Sequence, residues 1–287
     1  MSRIVVAGLV FFEVNVGGDD FAVEPGRERF VRSMQLGFGG AINTASVLRA
    51  LGQDVTLAYP AGMGIADHAI RRATEALDLD AHTWAAPDDP AISLVLAFPE
   101  DRAFVTAAHF ASLAECPALP DAKHIHVPGL EEARALEPLL ARARAAGATV
   151  SVSGSWAPNR LASLAADTPP WDLLFLNEAE ARTAAGSVDS ALSDLTNVRD
   201  LIVTLDDRGA VGRVDDVRFA VPAHEVTVAD HTGAGDAFAA GFVAGRLAGR
   251  SGEAAGRLAT EVAARQLMVT GGVARRADVF ADLLEQS

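Results

Sequence analysis

From residue 3 onward, short β-branched and aliphatic runs alternate with Ala-, Leu- and Arg-rich stretches, and this alternation restricts the fold more than any other feature. The runs are 3–8 (RIVVAG), 54–60 (DVTLAYP), 124–129 (HIHVPG), 149–154 (TVSVSG), 171–177 (WDLLFLN) and 200–206 (DLIVTLD). Between them lie helix-like stretches at 41–51, 131–147 and 177–186, with Gly52, Gly147 and Gly186 where C-terminal caps are expected. Strands that alternate with helices pair in parallel through helical crossovers, so the pattern predicts an α/β fold. The expected architecture is a mostly parallel central sheet with helices on both faces. After Asp236 only helices are expected. Two segments, 10–35 and about 90–108, show period-two character between Gly, Pro and Asp turns. They predict hairpins inserted into a single domain spanning 1–287, and such inserts build a small β lid or a subunit interface.

Charge narrows the function. The chain has 38 acidic against 24 basic residues, a formal net charge of −14. Paired arginines occur only at Arg71–Arg72 and Arg275–Arg276, which gives no basic face for nucleic acid. No stretch approaches the roughly 18 uninterrupted apolar residues of a membrane span. The single cysteine, Cys116, excludes an intrachain disulfide and fits a reducing, cytoplasmic setting. A dinucleotide-dependent oxidoreductase would need GxGxxG after the first strand, and GLVFFE at 8–13 does not supply it.

The chemistry concentrates at 230–245, DHTGAGDAFAAGFVAG. A glycine-rich turn opening a helix aims several backbone NH groups, and the positive end of the helix dipole, at one point. Such a point binds phosphate or a developing anion. Asp236, in the first turn, is too repulsive to be a phosphate ligand and is suited to take a proton from an attacking hydroxyl. A structural turn with an ordinary helix-start acid is the alternative that this stretch alone leaves open. The small residues after Asp236 are expected to let the helix lie close on the sheet.

Four motifs in order decide between them. GFGGAINTASVLRALG (37–52), Asn177 and Glu180 in LNEAE, VTLDDRGA (203–210) and ADHTGAGDAFAAGF resemble the ribokinase-like carbohydrate kinases, the phosphofructokinase-B family, over nearly the whole chain. The resemblance implies transfer of the γ-phosphoryl group of ATP to a hydroxyl of a sugar or sugar-like molecule. A nucleoside kinase of the same fold and a non-catalytic ligand-binding relative are the alternatives. It makes Asp236 the catalytic base and the NH groups of Gly233, Ala234 and Gly235 the anion hole. It places the acceptor at Glu13, Gly39, Gly40 and Asn43, and the nucleotide at Asn177, Thr204, Gly209 and Thr260. Mg²⁺ falls to Asn177 and Glu180, largely through water, and a monovalent cation such as K⁺ to Asp230 and Thr232. The hairpin-like inserts themselves suggest a lid suited to pairing with a second copy in a homodimer.

Four positions depart from the family pattern. Glu13 replaces a usual Asp, and residues 62–67 read GMGIAD where relatives have G-x-D-x-x-G. Asp206 replaces a common Gly, and His231 a common Thr. Other conspicuous residues are read as structural. His124 and His126 share one strand face, Trp156 and Trp171 belong to the core or its edge, and Phe11, Phe12, Phe104 and Phe110 pack in the lid or an interface. The charges of 131–147 read as a solvated helix face.

Overall fold

A computed structural model describes residues 3–18, 25–98, 102–155, 157–273, 279–280 and 282–283. Part of the first insert, Trp156 and the Arg275–Arg276 pair lie outside the described residues. The main sheet uses β1 (Ile4–Ala7), β4 (Val55–Ala61), β5 (Asp80–Ala85), β8 (His124–Val127), β9 (Thr149–Ser153), β10 (Leu173–Asn177), β11 (Asp200–Thr204), β12 (Ala210–Val214) and β13 (Val217–Val221). Their spatial order is β13-β12-β11-β10-β9-β8-β1-β4-β5. All pairs are parallel except β11–β12 and β12–β13.

Strand β1 shows why the sheet sits where it does. Ile4 and Val6 join one apolar cluster, Val5 and Ala7 the other, and all four are fully buried. A parallel strand covered on both faces reads as a continuous apolar run, which is how the central strands were legible. The first cluster packs α1 (Ala41–Ala50), α7 (Ala234–Leu247) and α8 (Gly252–Leu267) on one face. The second packs α3 (Leu130–Ala145), α4 (Pro158–Ser163), α5 (Glu178–Ala185) and α6 (Val188–Asp194) on the other. The remaining helix, α2 (Ile65–Ala76), joins β4 to β5. Gly52, Gly147 and Gly186 follow α1, α3 and α5 with φ of 73°, 95° and 83°.

Two expectations need correction. The small residues of α7 face α8 rather than the sheet: a Cβ on Gly241 or Gly245 would lie 3.0 Å from the Cα of Ala259 or Ala255. The sheet-facing side of α7 is aromatic, with the Phe242 ring 5.7 Å from that of Phe175. Residues 131–147 are also not wholly a solvated face, because Glu132 is buried.

The two inserts supply a second sheet of four strands, β2 (Val10–Gly17), β3 (Ser33–Gly40), β6 (Ala91–Ala97) and β7 (Arg102–Ala108), ordered β3-β2-β6-β7. Strand β3 runs five residues past the expected insert and ends in the Gly39–Gly40 pair, which leads directly into α1. Among the described residues, no helix is long and apolar enough to cross a membrane.

Candidate active site

The turn before α7 is tied down from several sides. Asp230 Oδ1 accepts from Thr232 N at 2.9 Å and Thr232 Oγ1 at 2.6 Å, while Oδ2 accepts from Gly271 N at 2.9 Å. Gly233 follows at φ 76°, and a Cβ there would stand 2.8 Å from the Cα of Gly272. Only glycine takes that left-handed position against a neighbouring backbone without strain. Helix α7 then starts at a cap residue, Gly233, that makes no side-chain cap bond, and Ala234 N lies 3.5 Å from the His231 carbonyl oxygen. Asp236 sits in this first turn, and Asn43 of α1 donates Nδ2 to its Oδ2 at 2.9 Å.

The junction of β3 and α1 makes that contact possible. Gly40, at φ 72°, comes so close to Leu9 that a Cβ would sit 2.4 Å from its carbonyl oxygen. The backbone therefore turns sharply into α1 and delivers Asn43 to a partner 193 residues later. Asn43, expected at an acceptor hydroxyl, has its amide on the carboxyl of Asp236. The space at Gly39 is filled by the Glu13 carboxyl, since a Cβ there would meet Oε1 at 2.1 Å.

Three acids cluster around this junction, each shifted up. Burial raises Asp236 to about 6, against the Asn43 amide and the Thr44 hydroxyl beside it, which lower it. Burial raises Glu13 to about 7; Arg102 and Asn15 oppose this, while Asp236 and Asp230 add to it. Burial raises Glu132 to about 8, opposed by the NH of Leu9 and helped by Asp236. Asp230 runs the other way: burial is outweighed by its bonds from Thr232 and Gly271 and by the charge of Arg102, so it stays below the usual range.

Two cavities meet at the turn. The larger, about 860 Å³, lies between the second sheet and the turn, and Glu13, Asn15, Phe38, Phe98, Arg102 and Asp230 line it. The smaller, about 510 Å³, is lined by Thr204, Gly209, Ala234, Gly235 and Thr260. Asp206 and His231 border both, so the cavities share a boundary at the start of α7. A Cβ on Gly235 would meet nothing within 4 Å, so space is open above that backbone. Thr204, Gly209 and Thr260, expected at the nucleotide, thus fall together with Ala234 and Gly235 in one cavity.

Asn177 and Glu180 form a reciprocal cap on α5: Asn177 Oδ1 accepts from Glu180 N, and Glu180 Oε2 from Asn177 N, both at 2.8 Å. Glu180 is buried, with a Cβ on Gly154 only 2.4 Å from Oε2. A carboxylate so engaged fits contact with Mg²⁺ through water better than direct ligation.

The departures from the family pattern have local reasons. Asp206 adopts φ 53°, the conformation that favours glycine. Asp67 of the GMGIAD loop is buried at the start of α2 and accepts from Asp89 N at 2.8 Å, tying that loop to the one before β6. Hydroxyls meet the core histidines: His124 reaches Thr149 and Ser151 at 2.8 and 2.7 Å, and His126 reaches Ser151 through Nδ1 at 2.9 Å, while its buried Nε2 has no hydrogen-bond partner among the described residues. Burial lowers them to about 4 and about 3, so both are neutral. Among the described residues no group of three or more His, Cys, Asp or Glu could hold a metal.

Sequence reasoning missed Asn15, Phe38, Phe98, Arg102 and Glu132. Asn15 carried a signal, since it stands two residues after Glu13 and therefore on the same strand face. The others reach the site through strand pairing and burial that no local pattern announces.

The model of the pfkB family carbohydrate kinases matches residues 1–275. The chain belongs to that family. Its fold is shared by the nucleoside kinase of Methanocaldococcus jannaschii, with a TM-score of 0.80 and 20% identity over 100% of this chain and 99% of the other. The ribokinase of Thermotoga maritima gives 0.79 and 18% over 99% and 100%. Phosphofructokinase-2 of Escherichia coli, solved in complex with potassium, gives 0.77 and 18% over 100% and 99%. Like the family, this pfkB-type chain is a ribokinase-like α/β kinase that transfers phosphate to a hydroxyl. Sugars and nucleosides are the acceptor classes of such kinases, and ATP with Mg²⁺ their phosphoryl source.

Proposed function

We propose that this chain transfers the γ-phosphoryl group of ATP to a hydroxyl of a sugar or sugar-like molecule, with Asp236 as the base. The observation that carries the reading is the meeting of the two cavities at the start of α7, where Asp236 is held by Asn43. The smaller cavity takes the nucleotide along Thr204, Gly209 and Thr260. The larger takes the acceptor beside Glu13. Gly39 and Gly40 contribute by making room for the Glu13 carboxyl and for the corner that carries Asn43.

Asp236 takes the hydroxyl proton as the acceptor oxygen bonds to the γ-phosphorus and the bond to the ADP oxygen breaks. At about 6, its pKa leaves it ionised at neutral pH and still basic enough to accept a proton. The NH groups of Gly233, Ala234 and Gly235, at a helix start whose cap residue makes no side-chain bond, offset charge on the transferring group. Mg²⁺, organised through water by Asn177 and Glu180, would supply charge neutralisation at the phosphates. The second sheet acts as a lid that excludes water from the larger cavity. One row of that sheet, Leu36, Val14, Leu94 and Val105, is continuous in register, and three of its members are 64%, 36% and 64% exposed. An apolar row of this kind suits pairing with the lid of a second copy.

A nucleoside acceptor is the second reading, and Phe38 and Phe98 support it. Both line the larger cavity, whose volume of about 860 Å³ exceeds what a free monosaccharide fills. The experiment is ADP release with ATP and Mg²⁺ against free sugars, sugar phosphates, sugar acids and nucleosides, beside Asp236→Asn. Acceptor-dependent release is expected, reduced about 10²–10⁴-fold in the variant. No release with any acceptor, while ATP or a sugar still raises the melting temperature, would instead make the chain a non-catalytic binder.

A further inference from the structure

The family resemblance assigns Asp230 and Thr232 to a monovalent cation beside the anion hole, and their surroundings do not fit one. Arg102, from the start of β7, donates Nη1 to Thr232 Oγ1, and the same nitrogen lies 3.4 Å from Asp230 Oδ1. The Thr232 hydroxyl thus gives its proton to Asp230 and accepts from Arg102. Asp230 Oδ1 already receives two bonds from Thr232, and Oδ2 one from Gly271 N. An alkali cation binds through oxygen lone pairs, and here they are turned toward donors with a guanidinium among them. A second positive charge would have to enter against the first. Arg102 and Asp230 side chains are only 21% and 22% exposed, so solvent screens that repulsion weakly.

We propose that Arg102 is a built-in cation: its guanidinium takes the place of K⁺ at Asp230 and Thr232, and the enzyme works without a monovalent cation. This rests on the kinase reading of the site, in which the 230–235 turn carries the anion hole. The guanidinium neutralises Asp230, whose bonds to Thr232 and Gly271 fix the turn that ends at Gly233. It therefore acts as a positioning residue, through the turn rather than on the phosphate. Arginine suits the task because it keeps its charge at any working pH and offers several donors in one plane. Because Arg102 arrives from the second sheet, the cation is delivered only when that sheet stands over the turn.

The test compares KCl with tetramethylammonium chloride at matched ionic strength, in the presence of Mg²⁺ and ADP. Wild-type melting temperature is expected to be the same in both salts. Arg102→Met, which keeps length and loses charge, is expected to melt on the order of 3 °C higher in KCl, saturably, as K⁺ enters the vacated place. Arg102→Lys is expected to stay indifferent to K⁺, which separates loss of charge from loss of folding. With an acceptor in hand, wild-type rate is expected to be equal in the two salts. Arg102→Met is expected to lose about 10-fold in tetramethylammonium, one decade or ~1.4 kcal/mol, and recover in KCl. Saturable stabilisation of the wild type by K⁺ would overturn the proposal. So would an Arg102→Met protein that ignores K⁺, or one that only weakens binding of anionic acceptors. The melting arm decides even if no acceptor is found, so failure of the kinase reading is told apart from failure of this one.

Discussion

Replacing Glu132 by Gln should stabilise the protein at neutral pH and not in acid. Glu132 stands in the first turn of α3, buried under the start of β2, with Oε1 accepting from Leu9 N at 2.7 Å. Room for it comes from two glycines: a Cβ on Gly8 or Gly129 would lie 2.8 or 2.5 Å from its oxygens. Burial lifts its pKa from 4.5 to about 8, the Leu9 NH opposing and the charge of Asp236 assisting. The folded state therefore holds a proton that the unfolded chain releases above its ordinary value. For such a group, stability is intact below the unfolded pKa and falls by about 1.4 kcal/mol per pH unit until the folded pKa is reached. Over the roughly 2.5 units from pH 5 to pH 7.5 the loss is about 3 kcal/mol, and it levels off above about 8.

Gln has the shape of the protonated acid and no proton to take up, so it escapes that loss. The assay is urea unfolding of wild type and Glu132→Gln at a series of pH values. The difference between them isolates this group from every other acid in the chain. It should grow in favour of the variant by about 3 kcal/mol between about pH 5 and 7.5. A difference that stays constant with pH would refute the reasoning. It would mean that the Leu9 NH and the positive end of α3 keep Glu132 ionised despite burial. In that case the variant would also shift the pH–rate limb of Asp236 downward, since a nearby negative charge would have been removed. A neutral Glu132 leaves that limb where it is.

Further outcomes follow from the same geometry. Gly235→Ala should fold with unchanged stability, because its Cβ meets nothing, yet lose nucleotide affinity and rate as the methyl enters the smaller cavity. Gly233→Ala should instead lose about 1–2 kcal/mol or more from the left-handed backbone, besides the clash with Gly272, as read by urea unfolding. Asn43→Ala removes the bond that lowers the pKa of Asp236, so the rising limb of kcat/KM against pH should move upward from about 6. An unmoved limb would show that Asn43 does not set the ionisation of the base.

What the sequence disclosed, and what it hid, follows from how far apart the contributing residues lie. The parallel strands were legible because burial on both faces leaves unbroken apolar runs such as IVVA and LLFL. Strand β5, DAHTWA, was not: it sits at the sheet edge, largely exposed, and carries no such run. The hairpin β12–β13 carried no sequence signal, since Asp215 and Asp216 make its bend with positive φ rather than a glycine. At the site, the α7 turn was visible because Gly233, Ala234, Gly235 and Asp236 are contiguous. The Asn43–Asp236 bond joins residues 193 apart, and Arg102 reaches Thr232 across 130. Glu132 misled for a different reason: an acid among arginines on a helix looks solvated until the two glycines that admit it are seen in place.

On the proposed reading, these hidden contacts bear on how a chain of net charge −14 would accommodate a polyanion. Four carboxyls, Glu13, Glu132, Asp230 and Asp236, surround the turn, and all of them ionised would repel the nucleotide. Asp230 is balanced by Arg102 and bonded on both oxygens. The other three are spread along the pH scale, at about 6 for Asp236, about 7 for Glu13 and about 8 for Glu132. Near neutral pH, Glu132 keeps its proton, Glu13 is midway and Asp236 has lost its own. Asp236 starts from the lower ordinary value, 3.8 against 4.5, and the amide of Asn43 holds it down. Environments that push neighbouring acids apart in this way assign their roles. Of these three, the one most fully charged at neutral pH is the one in the first turn of α7, where the proposed reaction needs a base.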